Sequence, residues 1–133
     1  MTEARPLVLY VDDEPTLVFL VTRALEKLGI ATQGFTSTQE ALAAFGREPQ
    51  AFTLVLSDLT MPGNMSGLEL AQAVLAIRPD AAVVIASGGI DPAEAQRALV
   101  LGVRKVIQKP GKVAEMAALV SGLVRDLRSG GVR

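Results

Sequence analysis

The hydrophobic positions of this chain form short continuous runs, separated by segments in which apolar residues recur every three or four positions. The runs are LVLYV (7–11), ATQGF (31–35), FTLVLS (52–57), AAVVIA (81–86) and VRKVIQ (103–108). Mainly apolar runs of this length are typical of strands that are buried on both faces of a sheet. The pattern therefore predicts five strands.

Each run is followed by a segment with helical periodicity. The first helix is expected to begin at Pro15, because proline suits a first helical turn, and to stop at Gly29. Ser37 or Thr38 is the expected N-cap of the second helix, and the last helix covers about 112–128. Strict alternation of five strands and five helices indicates an α/β fold, a doubly wound parallel sheet with helices on both faces.

The length of the chain, 133 residues, fits one domain, with a core at about 6–128 and a frayed tail at 129–133. Its apolar stretches are well short of the roughly 20 residues that a membrane helix needs. The first six residues, MTEARP, lack the basic-then-apolar pattern of a signal peptide. We therefore expect a cytoplasmic protein without a membrane segment in this chain.

The composition excludes several kinds of chemistry. The chain has neither cysteine nor histidine, which removes disulfides, thiolate metal sites, histidine general bases and the Ser-His-Asp arrangement. Its 13 basic and 14 acidic residues are spread along the chain without a basic stripe, so direct nucleic-acid binding is not expected. The reactive groups that remain are carboxylates, hydroxyls and lysines, which favour a hard cation such as magnesium if a metal binds.

Polar side chains follow four of the five predicted strands at the point where each strand ends. Asp12 and Asp13 follow the first strand, Asp58 the third, Ser87 the fourth and Lys109 the fifth. The carboxyl ends of parallel strands lie on the same edge of a sheet, where ligands bind. The sequence therefore predicts that these five side chains point into one pocket.

Three carboxylates in one pocket require compensation. Within about 5 Å of one another they repel by roughly 3 kcal/mol per pair at an effective dielectric constant near 20, so a cation or a raised pKa is needed. Mg²⁺ suits such oxygen ligands, and Lys109 and Ser87 could hold further oxygens of a phosphoryl group, which a carboxylate can accept as a nucleophile. A simpler interpretation stays open, in which Asp12 and Asp13 cap the first helix and Asp58 opens a turn.

At this point the sequence resembles the receiver domain of two-component response regulators. The segments VDDEP, LVLSDLTMPGNMSGLEL, IASGG and VIQKP match the signature segments of that family in order and spacing, and the resemblance spans about residues 6–128. It implies a flavodoxin-like (βα)5 three-layer sandwich, with a five-stranded parallel sheet in the order 2-1-3-4-5.

The resemblance also implies the chemistry of the pocket. Asp58 would be the phosphoacceptor, taking a phosphoryl group from a phosphohistidine on a histidine kinase or a histidine phosphotransfer protein. Asp12, Asp13 and Asp58 would hold Mg²⁺ together with the backbone carbonyl of Thr60. The domain would assist its own phosphotransfer and dephosphorylation, and kinase activity would arise only if the chain were part of a larger hybrid kinase.

Other positions would carry the response to phosphorylation. Lys109 would pair with the carboxylate or phosphoryl oxygen, Ser87 would bind the phosphoryl oxygen, and the bond before Pro110 is expected to be cis. At Val106, three residues before the lysine, the family usually has an aromatic residue that moves with the hydroxyl. Valine lacks a ring and has a stiff side chain, so we expect switching to rely on loop and helix shifts. Compared with the family pattern, we also expect the loop after Asp58 to be one residue longer than usual.

Two alternatives and the domain context stay open. A receiver-like interaction module that works without phosphorylation is supported by Val106. A haloacid-dehalogenase-like phosphatase would also use an aspartyl phosphate and magnesium, but its Asp-x-Asp motif is matched imperfectly by DDEPT. The domain could be a stand-alone regulator, a phosphorelay shuttle or the receiver of a hybrid sensor histidine kinase, and a homodimer through the fourth and fifth helices is open.

Overall fold

The computed structural model describes residues 6–63 and 65–130, in which strands and helices alternate from one end to the other. The elements are β1 (Leu7–Val11), α1 (Pro15–Lys27), β2 (Ala31–Phe35), α2 (Thr38–Arg47), a 3-10 helix (Pro49–Ala51), β3 (Leu54–Asp58), α3 (Gly67–Ile77), β4 (Val83–Ser87), α4 (Pro92–Leu101), β5 (Lys105–Gln108) and α5 (Val113–Gly130).

The strands form one parallel sheet in the order β2-β1-β3-β4-β5. The predicted doubly wound flavodoxin-like fold and its strand order are therefore confirmed. The chain order reverses between β1 and β3, so the carboxyl ends of these strands meet at the centre of the sheet, where α/β proteins bind ligands. Val11 pairs with Ser57, and Asp58 pairs with Ala86.

Helices cover both faces of the sheet. On one face, Val8 and Tyr10 of β1 pack with apolar residues of α1 and α5. On the other face, Leu9 and Val11 pack with residues of α2, α3 and α4. Successive residues of a strand point to opposite faces, so β1 supplies side chains to both cores in alternation. This explains why the run LVLYV does not alternate between apolar and polar residues, and why the first charged residue, Asp12, follows the strand.

Local sequence signals define several helix ends. Ser37 is the N-cap of α2, because its side chain accepts a hydrogen bond from the backbone N–H of Glu40, so Thr38 is the first helical residue. Ser66 and Glu69 form a capping box at the start of α3. Gly29 follows α1 with a φ of 83°, a left-handed conformation that glycine adopts without strain.

The structure differs from the sequence prediction at several boundaries. Strands β3, β4 and β5 each begin two residues later than predicted, because Phe52 and Val103 are buried but lie outside the paired segments. Helix α5 continues through Gly130, two residues beyond its predicted end at about 128, and the expected frayed tail stays a prediction. Residues 131–133, residues 1–5 of MTEARP and Asn64 in the loop after Asp58 lie outside the described residues. In the described part, no helix is long and apolar enough to span a bilayer.

Candidate functional site

Asp12 lies directly after β1 and is almost completely buried, with 1% of its surface exposed. Its Oδ1 accepts a hydrogen bond from the backbone N–H of Glu14 at 3.1 Å. Its Oδ2 lies 2.8 Å from the Nζ of Lys109. A buried carboxylate needs such partners, and they hold the side chain of Asp12 at the carboxyl edge of the sheet.

Lys109 joins the ends of two strands. Its Nζ contacts Asp12 Oδ2 and also donates to Asp58 Oδ2 at 3.1 Å. The side chains of Lys109 and Asp58 are 19% and 12% exposed, so solvent screens these contacts only partly. The backbone N–H of Lys109 donates to the carbonyl of Ser87 at 2.7 Å, which places the lysine beside the end of β4. The predicted convergence of these strand ends is observed.

The third carboxylate of the pocket belongs to Asp13, which is exposed. One carboxylate oxygen from each of Asp12, Asp13 and Asp58 lies within 4.8 Å of the others. At this separation each pair repels by roughly 3 kcal/mol at an effective dielectric constant near 20. Lys109 offsets one of the three negative charges, which leaves two uncompensated. The donor set and the charge deficit therefore fit a divalent, oxygen-preferring cation such as Mg²⁺.

The electrostatics of the pocket shift the pKa values of Asp58 and Lys109. Burial raises the pKa of Asp58 above its usual value, and the charges of Asp12 and Asp13 raise it further, although Lys109 acts in the opposite direction. Burial lowers the pKa of Lys109, but its hydrogen bonds and ion pairs with Asp12 and Asp58 together raise that pKa above the usual value. Lys109 is therefore charged, and Asp58 carries its negative charge at a cost that a cation would relieve.

Tyr10 takes part in the pocket although sequence analysis placed it only in a strand. Its ring is buried, and its hydroxyl donates to Asp12 Oδ2 at 3.1 Å. Burial and the neighbouring carboxylate of Asp12 raise the pKa of Tyr10 far above its usual value, so the hydroxyl keeps its proton and acts as a donor. The sequence signal for this contact was the spacing of Tyr10 and Asp12, because residues two apart on a strand point to the same face.

Ser87 lies at the end of β4 but does not bond to the carboxylates in this structure. Its hydroxyl donates to the carbonyl of Gly89 at 2.7 Å and accepts from the N–H of Gly89 at 3.3 Å. The side chain of Gln108 donates to the carbonyl of Gly88, which ties the end of β5 to the same loop. The loop between β4 and α4 is thus held by two side chains, of which sequence analysis had identified one.

The loop after Asp58 is fixed at its far end. Gly67 donates its backbone N–H to the carbonyl of Leu59 at 2.9 Å, and a Cβ on Gly67 would approach the carbonyl oxygen of Asp58 too closely for any other residue to fit unchanged. The hydroxyl of Thr38, which is fully buried, donates to the carbonyl of Met65 at 2.9 Å. Thr60 lies within this loop, and its predicted role as a carbonyl ligand stays a prediction.

The expectation of a cis bond before Pro110 is wrong for this structure, since every peptide bond in residues 6–63 and 65–130 is trans. Trans is the lower-energy isomer of an X-Pro bond by about 0.5–1 kcal/mol. A cis bond is not needed to place Lys109, because its backbone N–H bonds to Ser87 and its Nζ bonds to two carboxylates. Pro110 leads directly into the turn before α5.

Val106 lies close to Ser87, the hydroxyl residue whose movement the family couples to an aromatic side chain at this position. Its side chain is partly buried against the second core, and with Ser87 and Ala98 it lines a small cavity of about 10 Å³. This volume is close to the lower limit for one water molecule. The role of Val106 in switching stays a prediction.

The capping interpretation accounts for only part of the acidic run. Asp12 does accept the N–H of Glu14. Glu14, the N-cap residue of α1, makes no side-chain capping bond. Helix capping therefore does not explain why the carboxylates of Asp13 and Asp58 lie so close to that of Asp12.

Comparison with known proteins identifies the family of the chain. A sequence model of the response regulator receiver domain matches residues 8–121. The C4-dicarboxylate transport transcriptional regulatory protein DctD of Rhizobium meliloti is 36% identical over 107 residues, which are 80% of this chain and 23% of that protein. The chain thus spans about a quarter of the length of this relative.

Solved structures agree with this match. A CheY-like receiver domain protein from Methanospirillum hungatei superposes with a TM-score of 0.82 at 22% identity, covering 96% of this chain and 99% of that one. A Burkholderia pseudomallei response regulator, solved with a phosphorylated aspartic acid, calcium ion and citrate, has a TM-score of 0.74 at 27% identity, covering 95% and 72%. The chain belongs to the response regulator receiver domain family of two-component systems.

Proposed function

We propose that the chain accepts a phosphoryl group on Asp58 from a phosphohistidine, with Mg²⁺ held by Asp12, Asp13, Asp58 and the carbonyl of Thr60. The observation that carries this proposal is the approach of three carboxylate oxygens within 4.8 Å, with one lysine bridging two of them. A bound divalent cation would supply charge neutralisation for the incoming phosphoryl oxygens.

The residues of the pocket have distinct tasks in this reaction. A carboxylate oxygen of Asp58 attacks phosphorus, a P–O bond forms and the P–N bond of the phosphohistidine breaks. The electron pair of that bond stays on the imidazole, which takes up a proton from solvent. Lys109 keeps Asp58 oriented and stabilises the charge that develops on the phosphoryl oxygens. Hydrolysis of the acyl phosphate would return Asp58 to its carboxylate.

Phosphorylation would change the contacts that hold the neighbouring loop. The phosphoryl group brings additional acceptor oxygens to a place where Lys109 now contacts two carboxylates. Ser87 can donate to such an oxygen only by giving up its bond to the carbonyl of Gly89. We infer that this exchange shifts the loop between β4 and α4 and is the switching step.

The proposed partner is a histidine kinase or a histidine phosphotransfer protein, and the chain would act as a phosphoacceptor rather than as an independent enzyme. The relative DctD is a transcriptional regulatory protein, which favours a regulator over the receiver of a hybrid kinase as the domain context. The Burkholderia protein, with its phosphorylated aspartate and calcium ion, supports both the modification and a divalent cation. The family match leaves no support for a haloacid-dehalogenase-like phosphatase.

Intact mass spectrometry after incubation with a small acyl phosphate tests the proposal. We expect a single phosphoryl adduct on the wild type with Mg²⁺, little or none with excess chelator, and none on Asp58→Asn. Asp80→Asn is the matched control, because the same chemical change falls on a side chain that is 86% exposed. It should be phosphorylated like the wild type.

Three results would contradict the proposal. An adduct that persists in Asp58→Asn would place the phosphoacceptor elsewhere. An adduct that forms equally well in chelator would remove the role of the cation. A folded wild type that forms no adduct under any condition would favour the interaction module that works without phosphorylation.

A further inference from the structure

Tyr10 occupies an unusual position for a residue of the apolar core. It lies in the central strand β1 with 1% of its surface exposed, and its ring packs among apolar residues of α1 and α5. A buried phenol hydroxyl needs a hydrogen-bond partner, since an unsatisfied one is costly. The partner of this hydroxyl is Asp12 Oδ2, at 3.1 Å.

The hydrogen bonds of Asp12 show what Tyr10 adds to the pocket. Oδ2 is approached by the hydroxyl of Tyr10 and by the Nζ of Lys109, and Oδ1 accepts the N–H of Glu14. Two carboxylate oxygens offer about four lone-pair positions. The three donors occupy three of them, so the orientation of the carboxylate is fixed while one lone-pair position remains without a donor among the described residues.

The three donors to Asp12 differ in origin. The N–H of Glu14 and the Nζ of Lys109 are expected in any arrangement of the pocket, whereas the third donor exists only because residue 10 carries a hydroxyl oxygen. The N–H of Glu14 belongs to the backbone, and Lys109 is shared with Asp58. The hydroxyl of Tyr10 approaches from inside the core, on the side that solvent and ligands do not reach. Because the ring is held by its packing, the hydroxyl is a rigid support for the carboxylate.

We propose that Tyr10 is a positioning residue for the metal site: its hydroxyl holds the carboxylate of Asp12 in the orientation that binds Mg²⁺. This inference rests on the magnesium site of the proposed function. Groups that orient a metal ligand through a hydrogen bond commonly change metal affinity about 10–100-fold when they are removed. Since Tyr10 is the single tyrosine and the chain has no tryptophan, its fluorescence should also report occupation of the site.

The test is calorimetric titration of Mg²⁺ into the wild type, Tyr10→Phe and Thr32→Val. Tyr10→Phe removes one oxygen and keeps the ring, and we expect its Kd for Mg²⁺ to be about tenfold weaker or more. Thr32→Val is the matched control, because it also removes a buried hydroxyl. Thr32 lies on β2, and its hydroxyl donates to the carbonyl of Ile30, the residue before that strand. Its Kd should stay within about twofold of the wild type, as expected for a group that is not linked to a metal ligand.

Tyrosine emission of the unaltered protein provides a second measurement that does not depend on a variant. It should change during the Mg²⁺ titration and saturate with the Kd found by calorimetry.

The outcomes separate this inference from the function on which it rests. If the wild type shows no saturable binding, the metal part of the proposed function fails, and the role of Tyr10 fails with it. If the wild type binds Mg²⁺ and Tyr10→Phe binds it equally well or more tightly, only the role of Tyr10 is overturned. Emission that stays constant while calorimetry shows saturation also overturns it.

Discussion

Charged side chains gather at both edges of the sheet, but the two groups differ in how their charges are satisfied. At the amino edge, Arg78 is 15% exposed and donates from Nη1 to the carbonyls of Pro49 and Phe52, at 2.7 and 3.0 Å. Its Nε donates to Asp80 at 3.2 Å. The guanidinium therefore has partners of matching geometry, and the group fastens the end of α3 to the turn before β3.

The carboxyl edge has the opposite arrangement. Three carboxylates lie together there with one lysine, which contacts two of them, and the pKa of Asp58 is raised by burial and by its acidic neighbours. The comparison teaches that buried charge alone does not identify a functional site, since Arg78 is also largely buried. An uncompensated surplus of charge of one sign does indicate such a site, because it destabilises the fold and has no structural use.

The largest expected effect is on the rate of phosphorylation. Lys109→Gln removes the positive charge that contacts Asp12 and Asp58, and we expect the initial rate of adduct formation at saturating Mg²⁺ to fall by about 100-fold. Time-resolved intact mass spectrometry measures this rate. Lys105→Gln, at an exposed position of β5, the strand that Lys109 directly follows, should leave it unchanged. Equal rates for Lys109→Gln and the wild type would contradict the role of the lysine.

The amino edge should respond to substitution through stability. Arg78→Met keeps much of the aliphatic stem but leaves two part-buried carbonyls without their donor, so we expect a loss of about 2–3 kcal/mol in the free energy of unfolding. Urea denaturation measures it. Arg97→Met, whose pairing with Glu94 is exposed, should cost less than about 0.5 kcal/mol. A slower phosphorylation of folded Arg78→Met would contradict a purely structural role for this edge.

The smallest expected effect is a gain in stability at the carboxyl edge. Without divalent cations, Asp58→Asn removes a buried charge that its neighbours repel, and we expect stabilisation by about 1 kcal/mol at neutral pH. Because the folded pKa of Asp58 is raised, the wild type loses stability relative to Asp58→Asn as pH rises from the unfolded pKa through the folded pKa. Above the folded pKa the full difference is present.

Urea denaturation over a range of pH measures this difference. The advantage of Asp58→Asn should disappear below about pH 4, where the carboxyl is protonated in both folded and unfolded chains. Asp80→Asn, which makes the same chemical change at an exposed side chain, is the control for the substitution itself. An advantage of Asp58→Asn that grows on acidification would contradict the raised pKa.

Sequence reasoning predicted the parts of the structure that depend on local pattern. The run LVLYV is a strand with the predicted bounds because its residues serve both cores. The convergence of Asp12, Asp58 and Lys109 followed from the parallel topology alone. Phe52 was assigned to a strand wrongly, because burial begins before Leu54, the first paired residue of β3, and a hydrophobicity pattern records burial rather than pairing.

The side-chain bonds that hold the site together were beyond the sequence. The bond from Thr38 to the carbonyl of Met65 joins positions 27 residues apart, and no local pattern encodes such a contact. The hydroxyl of Ser87 was expected at the phosphoryl position, whereas the backbone of its own loop satisfies it here. The cis bond before Pro110 was an expectation from the family and not from the residues, and the structure has it trans.

The most direct test of the difference between the two edges is a titration of the isotope-labelled protein with Mg²⁺, followed by NMR of the backbone amides. We predict saturable shifts confined to the carboxyl edge, at Asp12, Asp13 and the segment 58–60, with no change around Arg78 and Asp80. Shifts scattered over exposed acidic residues, or a response centred on the amino edge, would contradict the claim that the acidic pocket holds a specific cation.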